Sequence, residues 1–139
     1  MLFGKPEEIV STWHKGETGV DEQAAYLFKH PGGALSVLHS SLQAQTTQEA
    51  VIAGTGGRIR IERQCWRPQE IVLIRDDESE ERFSLPFEGN GFNYEAAEVM
   101  RLLRAGEKES EIMPLDESIA IMETLDAIRA QWGLRYPME

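Results

Sequence analysis

Residues 90–94 read Asn-Gly-Phe-Asn-Tyr and combine two amides with two aromatic rings beside a flexible pair of glycines. At the N-terminus of a helix, such a segment can bind a polar ligand that also has an apolar side, because amides meet oxygen atoms and rings meet carbon. Asn90, Phe92, Asn93 and Tyr94 are therefore predicted to bind substrate. The alternative is a structural helix start, in which Asn93 caps the helix and both rings pack under a sheet edge.

A glycine-rich run, Gly-Thr-Gly-Gly at residues 54–57, could in principle cradle a phosphate. A dinucleotide loop must open a helix whose N-terminus faces the pyrophosphate. Here residues 58–62 alternate charged and apolar side chains as a strand does. The run therefore predicts a hairpin turn in which glycines supply positive φ, and no cofactor-binding residue is predicted in this chain.

Histidine and cysteine show no spacing typical of a metal site or a nucleophile. His14, His30 and His39 are scattered on or beside predicted strands, and Cys65 has no Cys-x-x-Cys partner. His39 and Ser40 are adjacent in a strand, so their side chains should face opposite sides and cannot form a hydrolase dyad. No metal site and no catalytic residue are predicted, and His39 is expected on the sheet or at an interface.

Composition indicates one globular domain. The chain has 139 residues, of which 41% are hydrophobic and 27% charged. Its formal net charge of −10 disfavours binding to nucleic acid, because an acidic surface repels phosphates. No segment reaches the ~18 apolar residues of a membrane helix, and the start has no signal-peptide pattern. A single cysteine suits a reducing compartment, so we expect a cytoplasmic protein without membrane contact.

Short alternating segments predict about seven strands at the spacing of an antiparallel meander. Several of them are apolar on both sides, which is typical of a sheet buried on both faces. The predicted strands cover residues 8–14, 24–30, 34–42, 49–53, 58–63, 70–75 and 82–87.

Two helices are predicted after the strands. The first has Asn93 as its cap and ends at Gly106, and the second follows Pro114, with Asp116 as a candidate cap, and ends at Gly133. The apolar stripe of the first contains Ala96, Val99, Met100 and Leu103, and that of the second contains Leu115, Ile119, Met122, Leu125, Ile128 and Trp132.

These elements predict an α+β fold: a mainly antiparallel open sheet of about seven strands, with two C-terminal helices packed on part of one face. Seven strands span roughly 34 Å at ~4.8 Å each. Two helices about 10 Å in diameter cover only about 20 Å of one face. The remaining apolar surface predicts a cover from outside the chain, namely a second subunit, another domain or both.

Several segments, taken together, resemble the C-terminal domain of the glucose–fructose oxidoreductase / inositol dehydrogenase (Gfo/Idh/MocA) family, most closely its dihydrodiol dehydrogenase-like branch. The order and spacing of these segments carry the resemblance. They are Phe-Gly-Lys-Pro at 3–6 with Ile-Val at 9–10, Thr-Gly-Val-Asp at 18–21, the hairpin 52–59, the helix 91–106 with its Glu-Ser end at 109–110, and the tail 125–137.

The resemblance implies a partner domain that this sequence does not contain. Family members have an N-terminal Rossmann domain that binds NAD(P) through G-x-G-x-x-[GA] and carries a catalytic lysine in E-K-P. Lys5-Pro6 is not that segment, because Gly4 precedes it and no nucleotide fold comes before it. Residues 1–139 are therefore expected to form a single C-terminal substrate-binding and dimerisation domain, without the Rossmann domain.

The resemblance also implies a function. The chain would be the substrate-binding and dimerisation part of an NAD(P)-dependent oxidoreductase acting on a sugar, polyol or dihydrodiol. It would form a homodimer through an exposed sheet face and contact the parent's Rossmann domain, where NAD or NADP would bind. Alone it would be catalytically inactive. The alternative is a freestanding module that binds small ligands or supports assembly without a parent enzyme.

Overall fold

The computed structural model describes residues 2–136, which divide into two compact units. Unit 1 consists of residues 2–46 and 109–136, and unit 2 is Thr47–Lys108. Each unit contains one sheet and one helix, and each is described by itself below.

Seven strands and two helices are present, in the order that the sequence predicts. The strands are β1 (Glu8–Lys15), β2 (Asp21–Lys29), β3 (Leu35–Ser41), β4 (Ala50–Gly54), β5 (Gly57–Ile61), β6 (Glu70–Arg75) and β7 (Glu80–Ser84). A short 3-10 turn, Pro31–Gly33, joins β2 to β3. The helices are α1 (Phe92–Ala105) and α2 (Leu115–Trp132).

The predicted α+β class, with antiparallel strands followed by two helices, is confirmed. The strands form two sheets rather than one continuous sheet: β1-β2-β3 in unit 1 and β4-β5-β6-β7 in unit 2. Every neighbouring pair is antiparallel. The break falls after β3, where the polar link 42–49 is longer than the short turns that suit hairpins.

Strand β7 begins two residues earlier than predicted. The turn before it is tight: the Glu78 N–H donates to the Arg75 carbonyl at 2.9 Å, and the Arg75 N–H donates to the Ser79 carbonyl at 3.1 Å. Glu80 and Glu81 can therefore enter the strand, where Glu81 forms an ion pair with Arg75.

Both predicted helix caps are wrong, whereas both predicted C-terminal glycines are confirmed. Gly91, with φ of 87°, precedes α1 in place of Asn93, and Pro114 precedes α2 in place of Asp116. Gly106 and Gly133 end the helices in the left-handed region, with φ of 72° and 62°. Their backbone N–H groups bond to carbonyls of the last turn, which is the usual role of a C-terminal glycine.

The apolar stripes predicted for the helices are only partly buried. In α2, Ile128 is 5% exposed and Trp132 is half-buried, but the N-terminal members of the stripe are exposed. In α1 the predicted stripe faces solvent, and the buried residue is Leu102. The buried apolar side chains are Ala24, Ile128 and Leu134 in unit 1, and Val72, Ile74 and Leu102 in unit 2. Such small cores leave much apolar surface exposed.

Neither helix between residues 2 and 136 combines the length and apolar character needed to cross a lipid bilayer.

Candidate functional site

The loop before α1 is ordered by local hydrogen bonds. Asn90 Oδ1 accepts a hydrogen bond from the Phe92 N–H at 3.2 Å, which satisfies one of the free donors at the helix start. The Tyr94 hydroxyl oxygen accepts one from the Glu88 N–H at 3.1 Å. Gly91 takes the left-handed conformation that turns the chain into α1. The fold thus brings Asn90, Phe92 and Tyr94 into one small structure.

The rings of this loop lie in solvent. Phe92 is 70% exposed and Tyr94 is 51% exposed, while Asn93 lies exposed in the first turn of α1. The structural alternative, with Asn93 as the cap and both rings packed beneath a sheet edge, is therefore wrong. Two exposed rings beside amide groups leave the loop able to contact a ligand, so substrate binding here stays a prediction.

A second candidate site, which we call the groove, lies within unit 1 between α2 and one face of the β1-β2-β3 sheet. It has a volume of about 570 Å³, within the range of small-molecule pockets. Tyr26, Phe28, His30 and Leu38 line it from the sheet side. On α2, Ala120, Thr124, Leu125, Ile128 and Trp132 line it.

Helix α2 is anchored at its C-terminal end, beside the groove. Trp132 stacks on Trp13 with ring centroids 5.3 Å apart, and its Nε1–H donates to Ser11 Oγ at 2.9 Å. The Gln131 amide donates to the Ile9 carbonyl at 2.7 Å. These contacts join β1 to residues about 120 positions later in the chain, and so they position the helical wall of the groove.

His30 is the buried polar side chain of the described residues, at 6% exposure. Its Nδ1 lies 3.1 Å from the Gly4 carbonyl, and its Nε2 lies 2.9 Å from Ser36 Oγ. A carbonyl only accepts, so Nδ1 carries the proton and, in the neutral ring, Nε2 accepts from the serine hydroxyl. Both nitrogens are therefore occupied, and the His30 ring serves as a wall of the groove.

Three further contacts involve other residues of the groove lining. The Tyr136 hydroxyl donates to Asp21 Oδ1 at 3.1 Å, and the Arg129 guanidinium lies 5.5 Å from the centroid of the Tyr136 ring. Lys5 forms an ion pair with Glu123. Asp21 is the first residue of β2, three residues before the predicted start of the second strand.

Unit 2 carries charged side chains in pairs on its surface. Arg58 forms a two-pronged hydrogen-bonded pair with Glu78, at 3.2 and 2.9 Å, which raises the pKa of Arg58 and lowers the pKa of Glu78. The hydrogen bond that Arg82 donates to the Glu70 carboxylate raises the pKa of Arg82. These pairs lie at the solvent-exposed surface between neighbouring strands and turns, so their shifts indicate structure rather than catalysis.

The glycine-rich run forms the predicted hairpin turn between β4 and β5. Gly57, with φ of 137°, is the member that needs to be glycine, because a Cβ there would lie 2.3 Å from the Ile74 carbonyl oxygen. No group of three or more His, Cys, Asp or Glu side chains among residues 2–136 is arranged to hold a metal ion.

The groove was not predicted from the sequence. A signal was present, because Tyr26, Phe28 and His30 alternate on one side of the second strand, and Trp132 recurs on the helical stripe. What the pattern could not show is that α2 lies against this face only through its C-terminal half.

Comparison with known proteins supports the resemblance. Residues 1–60 match the sequence model of the GFO/IDH/MocA C-terminal domain. The whole chain is similar to trans-1,2-dihydrobenzene-1,2-diol dehydrogenase from Homo sapiens, at 34% identity over 149 residues. The enzyme from Macaca fuscata fuscata is 35% identical over 149 residues, which again covers the whole of this chain. In both cases the chain spans 44% of the relative's length.

A solved structure has the same fold. Aldose-aldose oxidoreductase from Caulobacter crescentus, crystallised with glycerol, superposes with a TM-score of 0.73 over 91% of this chain and 39% of that one. Its sequence is 13% identical, so this likeness concerns the fold alone. The matches over residues 1–60 and along the whole chain are to the family that the motifs indicated.

Proposed function

We propose that this chain, whose residues 1–60 match the GFO/IDH/MocA C-terminal domain, is the substrate-binding and dimerisation part of an NAD(P)-dependent oxidoreductase whose substrate is a dihydrodiol, sugar or polyol. The observation that carries the proposal is similarity along the whole chain to dehydrogenases named for trans-1,2-dihydrobenzene-1,2-diol. The parent enzyme would move a hydride between nicotinamide and a carbonyl or alcohol carbon of the substrate.

The substrate would contact the loop before α1. Asn90 and Asn93 would bond to hydroxyl groups, while the exposed rings of Phe92 and Tyr94 would lie against the carbon ring of the substrate. A diol has both kinds of surface. The exposure of the two rings leaves them accessible to a ligand, which supports this role.

The loop can be tested by calorimetric titration of the chain with trans-1,2-dihydrobenzene-1,2-diol. Phe92→Ala should weaken binding by about tenfold, since a stacked ring contributes roughly 1 kcal/mol or more. Leu103→Ala is the matched control, because Leu103 is a comparably exposed apolar residue on the same helix. Equal binding by both variants would remove the loop from the proposed site.

Nicotinamide would bind to the parent's Rossmann domain and not to this chain, so the chain alone would be inactive. The chain is expected to give no saturable heat when titrated with NAD or NADP. Tight binding of either nucleotide to the 139-residue chain would refute the proposal that the cofactor binds only to the Rossmann domain.

Dimerisation would use the face of the unit 1 sheet that lies opposite α2. Val10, Leu27 and Val37 are paired across β1, β2 and β3, and they are 54%, 42% and 83% exposed. Exposing a row of apolar side chains to water is unfavourable, so such a row on a sheet face indicates a surface that a partner covers. His39 lies on the same face, opposite Ala25, which agrees with its predicted place at an interface.

Sedimentation velocity at micromolar concentration tests the dimer. The chain should self-associate, and Val37→Glu should shift it toward the monomer, because a charge would be buried without a partner. Ser84→Glu, on the exposed strand β7, is the control and should leave association unchanged. A strictly monomeric chain would contradict dimerisation through this face.

A further inference from the structure

Helix α2 has apolar side chains on two opposite sides. One side lines the groove through residues such as Ile121 and Ile128. Leu115, Ile119 and Met122 follow one another at spacings of four and three residues, which place them in a single row on the helix surface. At about 3.6 residues per turn, this row lies on the side of α2 away from the groove. A surface helix ordinarily has one apolar side, so the second row indicates a further contact.

The second row is open to solvent. Leu115, Ile119 and Met122 are 60%, 55% and 54% exposed, and Ile112, three residues before the helix, is 72% exposed. The Leu115 N–H donates to Glu109 Oε2 at 2.9 Å, so the segment that leads into α2 is held at the helix start. We call the side chains of Ile112, Leu115, Ile119 and Met122 the outer patch.

Every charged side chain within residues 109–128 is acidic. There are six carboxylates and no Lys, Arg or His, the six being Glu109, Glu111, Asp116, Glu117, Glu123 and Asp126. Asp116 and Glu123 lie seven residues apart along one flank of the outer patch, and Asp126 lies one turn beyond Met122. The outer patch is therefore an apolar surface with an acidic rim.

Two carboxylates of the rim already have basic neighbours. Lys5 forms an ion pair with Glu123, and Arg129 forms one with Asp126. Both carboxylates are exposed, and exposed ion pairs contribute little to stability. A cation from a partner can therefore replace either neighbour without a large loss.

The charge of the rim decides which partner fits the outer patch. A second copy of the chain in a two-fold contact would place one acidic rim against another, and like charges oppose such a contact. An anionic lipid surface is repelled for the same reason. A partner with Lys or Arg beside an apolar row gains both apolar burial and charge complementarity.

We propose that the outer patch docks a basic amphipathic helix of another protein. The partner helix lies along α2 at an interaxial distance of about 8–10 Å, with apolar side chains at i, i+3 or i+4, and i+7 against the row. Its Lys or Arg side chains bond to Asp116 and Glu123 on the flank. This docking uses neither the loop before α1 nor the sheet face proposed for dimerisation, so it does not depend on the proposed function.

Three labelled peptides of about 18 residues test the two requirements of the outer patch. The first is a helix with leucines at i, i+3, i+4 and i+7 and lysines elsewhere, the second has glutamate in place of each lysine, and the third has the composition of the first with its leucines scattered round the helix. Fluorescence anisotropy with the 139-residue chain in about 0.15 M salt should show saturable binding of the first peptide and at least about tenfold weaker binding of the other two. Equal binding of the first peptide and either of the others, or no saturable binding of the first, would overturn the proposal.

Substitutions in the outer patch locate the binding surface. Ile119→Gln and Met122→Gln each remove an apolar contact and should weaken binding of the first peptide by at least about fivefold. Val99→Gln makes the same kind of change at a position that is 49% exposed on α1, and should alter binding by less than about twofold. Far-ultraviolet circular dichroism confirms that each variant is folded. Unchanged binding by the folded variants of the outer patch would mean that the peptide binds elsewhere, and the proposal would be wrong.

Charge reversal separates the rim from the overall charge of the chain. Asp116→Lys and Asp76→Lys change the net charge equally, but Asp76 lies in the turn between β6 and β7. Only Asp116→Lys should weaken binding of the first peptide, by about threefold or more. Equal losses in both variants would show attraction to the whole chain rather than to the rim, against the proposal. If Ile119→Gln lowers self-association in sedimentation velocity, a second copy covers the outer patch and the proposed partner is wrong.

Discussion

The two units of the chain are stabilised in different ways. In unit 1, contacts join residues far apart in the sequence, as when Trp132 stacks on Trp13 and Tyr136 bonds to Asp21. In unit 2, polar contacts join neighbouring strands and turns, as in the Arg58–Glu78 pair. Long-range packing of rings in unit 1 leaves a groove with an apolar floor, whereas the hairpins of unit 2 leave a charged surface.

This difference indicates at which residues substitutions should lower the stability of each unit. Exposed ion pairs contribute about 0–1 kcal/mol each, so the surface charges of unit 2 cannot hold it together. Its stability must come from the central strand β6, where Val72 and Ile74 are almost fully buried. Unit 1 should depend instead on the anchoring of α2 to β1.

The largest effect is expected in the core of unit 2. Ile74→Ala removes three carbon atoms from a side chain that is 1% exposed, and should lower the free energy of unfolding by about 4 kcal/mol. Chemical denaturation followed by circular dichroism measures the loss. Val51→Ala, at a position that is 57% exposed in β4 of the same sheet, should cost much less. Similar losses for the two variants would mean that β6 is not the core of the unit.

The β4–β5 turn should show the next largest effect. Gly57→Ala would place a Cβ 2.3 Å from the Ile74 carbonyl oxygen at a positive φ, and should lower the free energy of unfolding by about 3 kcal/mol. Gly56→Ala is the control, because nothing lies within 4 Å of the Cβ it would add. If thermal unfolding of the two variants coincides, the close approach of β5 to β6 is incorrect.

A smaller effect is expected where α2 meets β1. Trp132→Phe removes the hydrogen bond to Ser11 and part of the stack on Trp13, and should lower the free energy of unfolding by about 1–2 kcal/mol. Trp66→Phe, in unit 2 at a position that is 64% exposed, should change it by less than about 0.5 kcal/mol. Denaturant titration compares them, and an unaffected Trp132→Phe variant would refute the anchoring of α2.

The smallest effect is expected when the pH is lowered, at the turn that contains Asp77 and Ser79. Hydrogen bonds from the Ser79 hydroxyl and N–H hold the pKa of Asp77 below its ordinary value. A lowered folded-state pKa contributes stability that is present above the unfolded pKa and is lost as the pH falls through the folded pKa. The Ser79 amide signal should therefore shift as the turn is acidified below the ordinary aspartate pKa.

Asp77→Asn supplies the control for acid, because its amide oxygen still accepts from Ser79 but does not titrate. Its Ser79 signal should stay constant over the same range. If the Ser79 signal shifts equally in the native chain and in Asp77→Asn, the shift arises from other groups. Glu78 is one such group, because Arg58 lowers its pKa.

Much of the fold could be predicted from the sequence. Short segments of strand-forming residues bounded by turns located all seven strands, and Gly106 and Gly133 located both helix ends, because each signal is local. The split into two sheets could not be predicted, since strand pairing after residue 42 depends on contacts that no local pattern records. The cap at Gly91 was missed because Asn93 has the better intrinsic preference, while the loop satisfies the free donor through Asn90.

The candidate sites were predictable to different degrees. The loop before α1 combines its residues within five positions, so its chemistry is visible in the sequence. The groove requires Tyr26 of β2 and Thr124 of α2, almost a hundred residues apart, to lie on opposite walls. Their meeting depends on the Trp132 anchor, which becomes apparent only once the chain is folded.

The most direct test of the proposed function is an amide-resolved NMR titration of the chain with trans-1,2-dihydrobenzene-1,2-diol. We expect saturable chemical-shift changes at the backbone amide signals of residues 90–94, without any added nicotinamide. Saturation that leaves those signals unmoved, or no saturable binding at all, would contradict the assignment of this domain as the part that holds the substrate.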